Sequence, residues 1–180
     1  MRCFISIDLP KELQLELARV QKEIEDIDVK MNLVDTDKIH LTMKFLGELN
    51  DLQVENVVKV LKELRFNKFK AKLERIGVFP NASFIRVVWL GVKPREEFVK
   101  IHDKIDHELH QIRFKKDQIF ENHATLSRVK WLKDKTKYFE KLHKIEVKPL
   151  EFTVDKIHLK KSTLTESGPI YEDLFVLELD

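Results

Sequence analysis

The sequence predicts an α+β protein built from two pseudo-symmetric halves. Three observations predict it. Segments with period-two alternation of apolar residues are interleaved with segments of helical spacing along the whole chain. The order strand, helix, strand, helix occurs once in each half. The second strand of each half carries the same triplet, His40-Leu41-Thr42 in one and His123-Ala124-Thr125 in the other.

The first strand is read over residues 2–8, which alternate and are rich in Phe and Ile. Pro10 stands at the first turn of a helix, where its missing N–H does no harm. Leu13, Leu17, Val20, Ile24 and Ile27 recur at helical spacing and predict a helix over residues 10–27. The first triplet lies in a strand over 38–46, ended by Gly47. Asp51 caps a second helix whose buried face is Val54, Val57, Val58, Leu61 and Leu64. Two strand-like runs, 69–79 and 84–92, flank Pro80-Asn81 and predict a hairpin. After Pro94, a third helix carries Phe98, Ile101, Ile105, Leu109 and Ile112. The second triplet lies in a strand over 119–130. A helix over 134–145 and strands over 147–163 and 172–179 follow.

A chain of 180 residues suits one domain or two small lobes sharing a core, and it is read as one unit, 1–180. No stretch approaches the roughly 20 apolar residues of a membrane span. The N-terminus lacks the long apolar region of a signal peptide, which places the protein in the cytoplasm, away from membranes. The single cysteine, Cys3, permits no internal disulfide and no cysteine metal site; it reads as a core residue. Net charge is +2, but residues 113–144 hold ten Lys or Arg against four Asp or Glu. That basic stretch surrounds the second triplet and suits an anionic partner such as phosphate or nucleic acid.

Side chains two apart in a strand share a face. His40 and Thr42 therefore point one way with Lys44 beyond them, and Leu41, Met43 and Phe45 point the other. His123 and Thr125 oppose Ala124 and Leu126 in the same manner. Two imidazoles across a groove form an acid–base pair near neutral pH. The Thr hydroxyls can donate to phosphate oxygens, and an arginine such as Arg128 can neutralise them. Strand parity, however, turns Arg128 away from His123 unless the strand bends. Phe84 and Trp89 are candidates for stacking on a base.

Absent motifs narrow the chemistry. The four glycines form no Walker loop and no dinucleotide fingerprint, and there is no G-x-S-x-G elbow. His102, His107 and His110 share a helix, but the 102–107 spacing puts those two on different faces, so no metal site is expected. His143 and His158 read as surface or internally satisfied residues.

HLTMKFLGE at 40–48 and HATLSR at 123–128 resemble the paired signatures of the 2H phosphoesterases, and within them the RNA 2′,3′-cyclic phosphodiesterase branch, also called the 2′-5′ RNA ligase family. RCFISIDLP, VFPNASFIRVVWLGV and SGPIYEDL extend the resemblance over nearly the whole chain, in order. It implies a bilobal fold with two antiparallel sheets facing across a cleft, helices outside, and one triplet from each lobe. It implies His40 as proton donor, His123 as proton acceptor, and Thr42, Thr125 and Arg128 as phosphate ligands. The implied substrate is RNA ending in a 2′,3′-cyclic phosphate, hydrolysed to a 2′-phosphomonoester; tRNA fragments are one candidate source of such ends, and a monomer is the default expectation. The implied chemistry requires neither metal nor ATP, and running it with an RNA 5′-hydroxyl gives 2′–5′ ligation. Two alternatives stay open at the level of sequence. One is a non-catalytic RNA-binding module. The other is a 2H phosphodiesterase for 2′–5′-linked oligonucleotides or small cyclic nucleotide phosphates.

Overall fold

The computed structural model describes residues 1–180. Strand β1 (Arg2–Asp8) leads through a 3-10 turn at Lys11–Leu13 into helix α1 (Gln14–Ile24). Leu13, Leu17, Val20 and Ile24 are buried as their spacing predicts, but Ile27 is 99% exposed. The helix stops earlier because Glu25 turns extended (φ −63°, ψ 144°). The chain then enters β2 (Val29–Leu33), a short strand that the sequence reading missed. Strand β3 (His40–Glu48) runs past Gly47, which sits in the strand at φ 78° and does not end it.

Helix α2 (Asp51–Glu63) is capped by Asn50 and not by Asp51. The Asn50 side chain accepts from the Gln53 amide and the Gln53 side chain accepts from the Asn50 amide, both at 2.9 Å, a reciprocal capping box. The hairpin forms as β4 (Phe69–Asn81) and β5 (Phe84–Lys93), followed by α3 (Arg95–Gln111). Strand β6 (His123–Leu132) begins later than predicted. The Asn122 amide donates to the Val92 carbonyl and pins the chain just before His123. Helix α4 (Lys135–Lys144) starts at the Asp134 cap. The last predicted strands resolve into β7 (Glu151–Val154), β8 (Lys156–Thr165) and β9 (Gly168–Glu178).

The strands order as β7-β4-β5-β6-β3-β1-β8-β9, with β2 along the same edge of β6 that meets β3. Every pairing is antiparallel. The two half-sheets, β7-β4-β5-β6 and β3-β1-β8-β9, mirror one another in order. They meet at one registered pair, Leu41 with Ala124, the central residues of the two triplets. Both are fully buried, so the join is apolar while the flanking histidines stay half-buried.

Helices α1 and α3 cross to the opposite half-sheet, while α4 and α2 stay with their own. Helix α1 packs on β6 and α4 on β4, while α3 packs on β3 and α2 on α3 and β9. One apolar cluster runs beneath both half-sheets, from Ile5 and Ile157 through Leu41 to Leu90 and Leu126. No helix is long and apolar enough to cross a membrane.

Candidate active site

Each triplet is followed by a β-bulge in the same place. Ile5 pairs with Lys44 and Ser6 with Thr42, leaving Met43 as the extra residue of β3. Val88 pairs with Ser127 and Trp89 with Thr125, leaving Leu126 as the extra residue of β6. A bulge shifts the alternation by one. Met43 and Lys44 are therefore both buried on the helix side, as are Leu126 and Ser127. The next residues, Phe45 and Arg128, turn to the triplet face.

This corrects the simple parity reading on two counts. Lys44 does not lie beyond Thr42 on the open face, and Phe45 (69% exposed) does not point into the core. The parity obstacle to Arg128 disappears for the same reason, since the strand bends where it must.

The two crossing helices hold both bulges. Gln21 of α1 donates to the Leu126 carbonyl (3.0 Å) and to the Val34 carbonyl (2.6 Å). Asp106 of α3 accepts from the Lys44 ammonium at 2.6 Å. A buried polar group costs free energy unless it is hydrogen-bonded, so these contacts fix where the extra residues sit.

A cavity of about 1050 Å³ opens over the join. His40, Thr42, His123, Thr125 and Arg128 all line it. Each imidazole is oriented identically. His40 Nδ1 donates to the Lys38 carbonyl and His123 Nδ1 to the Glu121 carbonyl, each at 2.8 Å and each two residues upstream. That tautomer leaves both Nε2 atoms free to exchange a proton with a substrate.

Aromatic rings wedge the imidazoles. Phe4 stacks on His40 at 5.1 Å and Tyr171 meets its edge at 5.4 Å. Phe79 meets His123 edge-on at 4.8 Å, with Trp89 behind it at 6.1 Å. Burial pushes both imidazoles below the ordinary histidine range. At His40 the Lys38 carbonyl and the Asp8 carboxylate oppose that shift, while Lys160 and His123 reinforce it. At His123 the Glu121 carbonyl and carboxylate oppose it and Arg128 reinforces it.

Neither predicted stacking residue lines the cavity. Trp89 supports His123 from behind and fits only because Gly77 lies across from it; a Cβ there would stand 2.1 Å from the indole. Phe84 is at the hairpin end, under the Arg86 guanidinium at 4.5 Å. The aromatic residues that do line the cavity are Phe4, Phe45, Phe79 and Tyr171. Sequence offered one usable signal for Phe45, its offset of five from His40, matching Arg128 from His123.

His102 does join a polar cluster, with Asp106 and Asp117. The Lys44 ammonium sits in it, 2.6 Å from Asp106 and 3.0 Å from Asp117. A fixed ammonium already pairs with both carboxylates.

The model of the LigT-like phosphoesterase family matches the chain twice, over residues 7–89 and 90–171, one match for each triplet. The chain belongs to the LigT-like phosphoesterases. Among relatives of this LigT-like phosphoesterase, one from Methanocaldococcus jannaschii is 37% identical over 96% of this chain and 97% of its own. One from Thermotoga maritima is 31% identical over 100% and 96%. Both bear the name RNA 2′,3′-cyclic phosphodiesterase. In fold, this LigT-like phosphoesterase superposes on a crystal structure from Thermus thermophilus with a TM-score of 0.81 at 24% identity, covering 99% of this chain and 98% of the other. Escherichia coli LigT in apo form gives 0.79 at 21% identity, covering 99% and 96%.

Proposed function

We propose that the protein hydrolyses the 2′,3′-cyclic phosphate at the end of an RNA to a 2′-phosphomonoester, with His123 as general base and His40 as general acid. The observation that carries the reading is the paired tether. Two imidazoles, each held through Nδ1 to a carbonyl, present free Nε2 atoms to one cavity that also holds two threonines and an arginine. Relatives over the full length of the chain carry the name of this activity.

His123 Nε2 takes a proton from water as the water oxygen attacks phosphorus in line. The P–O3′ bond breaks, and His40 delivers its proton to O3′. Thr42 and Thr125 donate to the non-bridging oxygens, and Arg128 offsets their charge. Two such proton transfers contribute about 10² to 10⁴-fold each. An RNA 5′-hydroxyl in place of water would give a 2′–5′ linkage by the same departure of O3′. One chain supplies both histidines, so the reading needs only a monomer, with residues 1–180 acting as one bilobal unit.

The assignment of roles follows the family resemblance, and a carboxylate stands near each imidazole. Directly across the ladder from His40 stands Asp8; directly across from His123 stands Gly91. Paired residues share a face, so the donor has a carboxylate beside it that favours its protonated form. Asp8 is itself held by Lys160 at 2.8 Å. On the other side, the Glu121 carboxylate favours the protonated form of His123, and Glu74 reaches to 3.4 Å from where a Gly91 Cβ would stand.

The test uses a short RNA with a 2′,3′-cyclic end, EDTA present and ATP absent, with the product assigned by phosphorus NMR. A 2′-phosphate, lost in both His40→Ala and His123→Ala, supports the reading. A 3′-phosphate reverses the leaving oxygen. No turnover from pH 5 to 9, with RNA still bound, leaves a binding module in its place.

A further inference from the structure

The cavity accounts for a terminal nucleotide but not for the polymer behind it. A strand ending in a 2′,3′-cyclic phosphate can continue only in the 5′ direction, so the question is which surface next to the cavity can take it. We propose that the open face of the β2–β6 ladder beyond Arg128 is the track for the RNA strand 5′ of the cyclic end, with Trp131 stacking on a base and Lys30 and Lys130 meeting phosphates. This deepens the proposed function and rests on it for the position of the cyclic end.

Register carries the inference. Asn32 pairs with Arg128, and both line the cavity. Two residues along β2 on the same face, Lys30 pairs with Trp131. Between these rungs lies a further bulge, since Met31 pairs with Val129 and Lys130 is left as the extra residue of β6. Val129 is buried on the helix side, while Lys130 and Trp131 are both exposed. The second bulge thus places a lysine beside a tryptophan on the face that Arg128 shares with the catalytic triplet. From Arg128 to Trp131 is three residues, about 10 Å of strand, a span that the nucleotides preceding the terminal one can cross.

The chemistry fits a single-stranded nucleic acid. Trp131 is 51% exposed, and an indole of that exposure beside unpaired cations is the pairing that single strands use. Lys30, Arg128 and Lys130 make no ion pair with any carboxylate of the chain, whereas the neighbouring Lys133 is committed to Asp28 at 3.6 Å and Lys141 to Asp26 at 3.0 Å. Of the cavity-rim acids, Asp35 is occupied by Lys38 at 2.7 Å and Glu166 belongs to the β8–β9 turn of the opposite half-sheet. The track is therefore positive, continuous with the cavity, and carries the chain's one exposed tryptophan, its other being Trp89 behind His123.

Kinetics on two substrates of different length tests this. Wild type, Trp131→Ala, Trp131→Phe and Lys30→Glu would be compared on cytidine 2′,3′-cyclic phosphate and on a short single-stranded RNA with the same cyclic end. The expected result is a KM for the RNA raised about tenfold in Trp131→Ala and in Lys30→Glu, the scale of one lost stack or phosphate contact, with largely retained binding in Trp131→Phe. The kcat/KM for the mononucleotide should stay unchanged in all three variants. Equal effects on both substrates, or none on either, would overturn the track.

If wild type turns over neither substrate, the proposed activity fails on its own. The track is then read by anisotropy of the same RNA, fluorescein-labelled. Weakened binding in Trp131→Ala and Lys30→Glu keeps it, and binding equal to wild type removes it.

Discussion

Lys44 is the buried charge most open to a quantitative test. Its side chain is 1% exposed, and its ammonium donates to Asp106 at 2.6 Å and to the Lys115 carbonyl at 2.9 Å and forms an ion pair with Asp117 at 3.0 Å. Lys44→Met keeps the length of the side chain and removes the charge. Asp106, 10% exposed, is left as a buried carboxylate with only the Asp117 amide at 3.1 Å as donor. Asp117 is one-third exposed, so water recovers part of what it loses. Removing one partner of a buried pair costs about 3–5 kcal/mol, and the solvated Asp117 puts this case near 3 kcal/mol.

The deficit has a pH signature. In the wild type, burial works to raise the Asp106 carboxyl, but Lys44 and the Asp117 amide overcome it and hold it below its ordinary value. A group lowered in this way contributes stability that is present above its unfolded pKa and is lost as pH falls through the folded one. Without Lys44, burial is opposed only by the Asp117 amide and the weaker influence of His102, so the carboxyl rises and its protonated form becomes the cheaper one to bury. The deficit should therefore be full at pH 7 and shrink toward pH 4, the ordinary carboxylate range of about 3.9. Urea unfolding followed by circular dichroism at both pH values measures it. A deficit under about 1 kcal/mol at pH 7, or one that is constant between the two, would refute the reasoning. Lys44→Met/Asp106→Leu should recover part of the loss, because the orphaned charge is gone.

Four further outcomes follow from the site. Burial lowers both imidazoles, so the bell of kcat/KM should be centred on the acid side of the ordinary histidine value of about 6.5; a bell centred above 7 would contradict it. Asp8→Asn removes the carboxylate across from His40, so the descending limb should move to lower pH while the ascending limb, governed by His123, stays in place. Gly77→Ala forces the Trp89 indole away from a Cβ that would sit 2.1 Å from it; overpacking of this kind costs about 1–3 kcal/mol, and kcat should fall with it as His123 loses its backing. Arg128→Met should raise KM and lower kcat together by about tenfold or more, as for a charged contact to phosphate, while Arg86→Met, on a residue that faces Phe84, should change neither.

Much of this protein was determined by its sequence. Apolar spacing marked the four helices, and alternation marked most strands, because helix and strand periodicity are local properties of which residues need burial. The two His-x-Thr triplets were legible as a pair, and the flanking motifs carried the family. The boundaries of α1 and β6 were less legible, since they depend on Glu25 turning extended and on Asn122 reaching Val92.

What only the tertiary structure decided is the face on which residues after the triplets emerge. An alternating pattern read along one strand assumes no bulge, and a bulge is a mismatch between two strands. Whether Met43 and Leu126 are the extra residues depends on β1, on β5 and on the helices that anchor each bend through Gln21 and Asp106. That choice sends Lys44 inward and Phe45 outward and brings Arg128 to the cavity, and the further bulge at Lys130 leaves Trp131 exposed where Trp89 is packed. It could not be read from residue order because each of these positions is fixed by partners far away in sequence, whose burial and hydrogen bonds outweigh the local alternation.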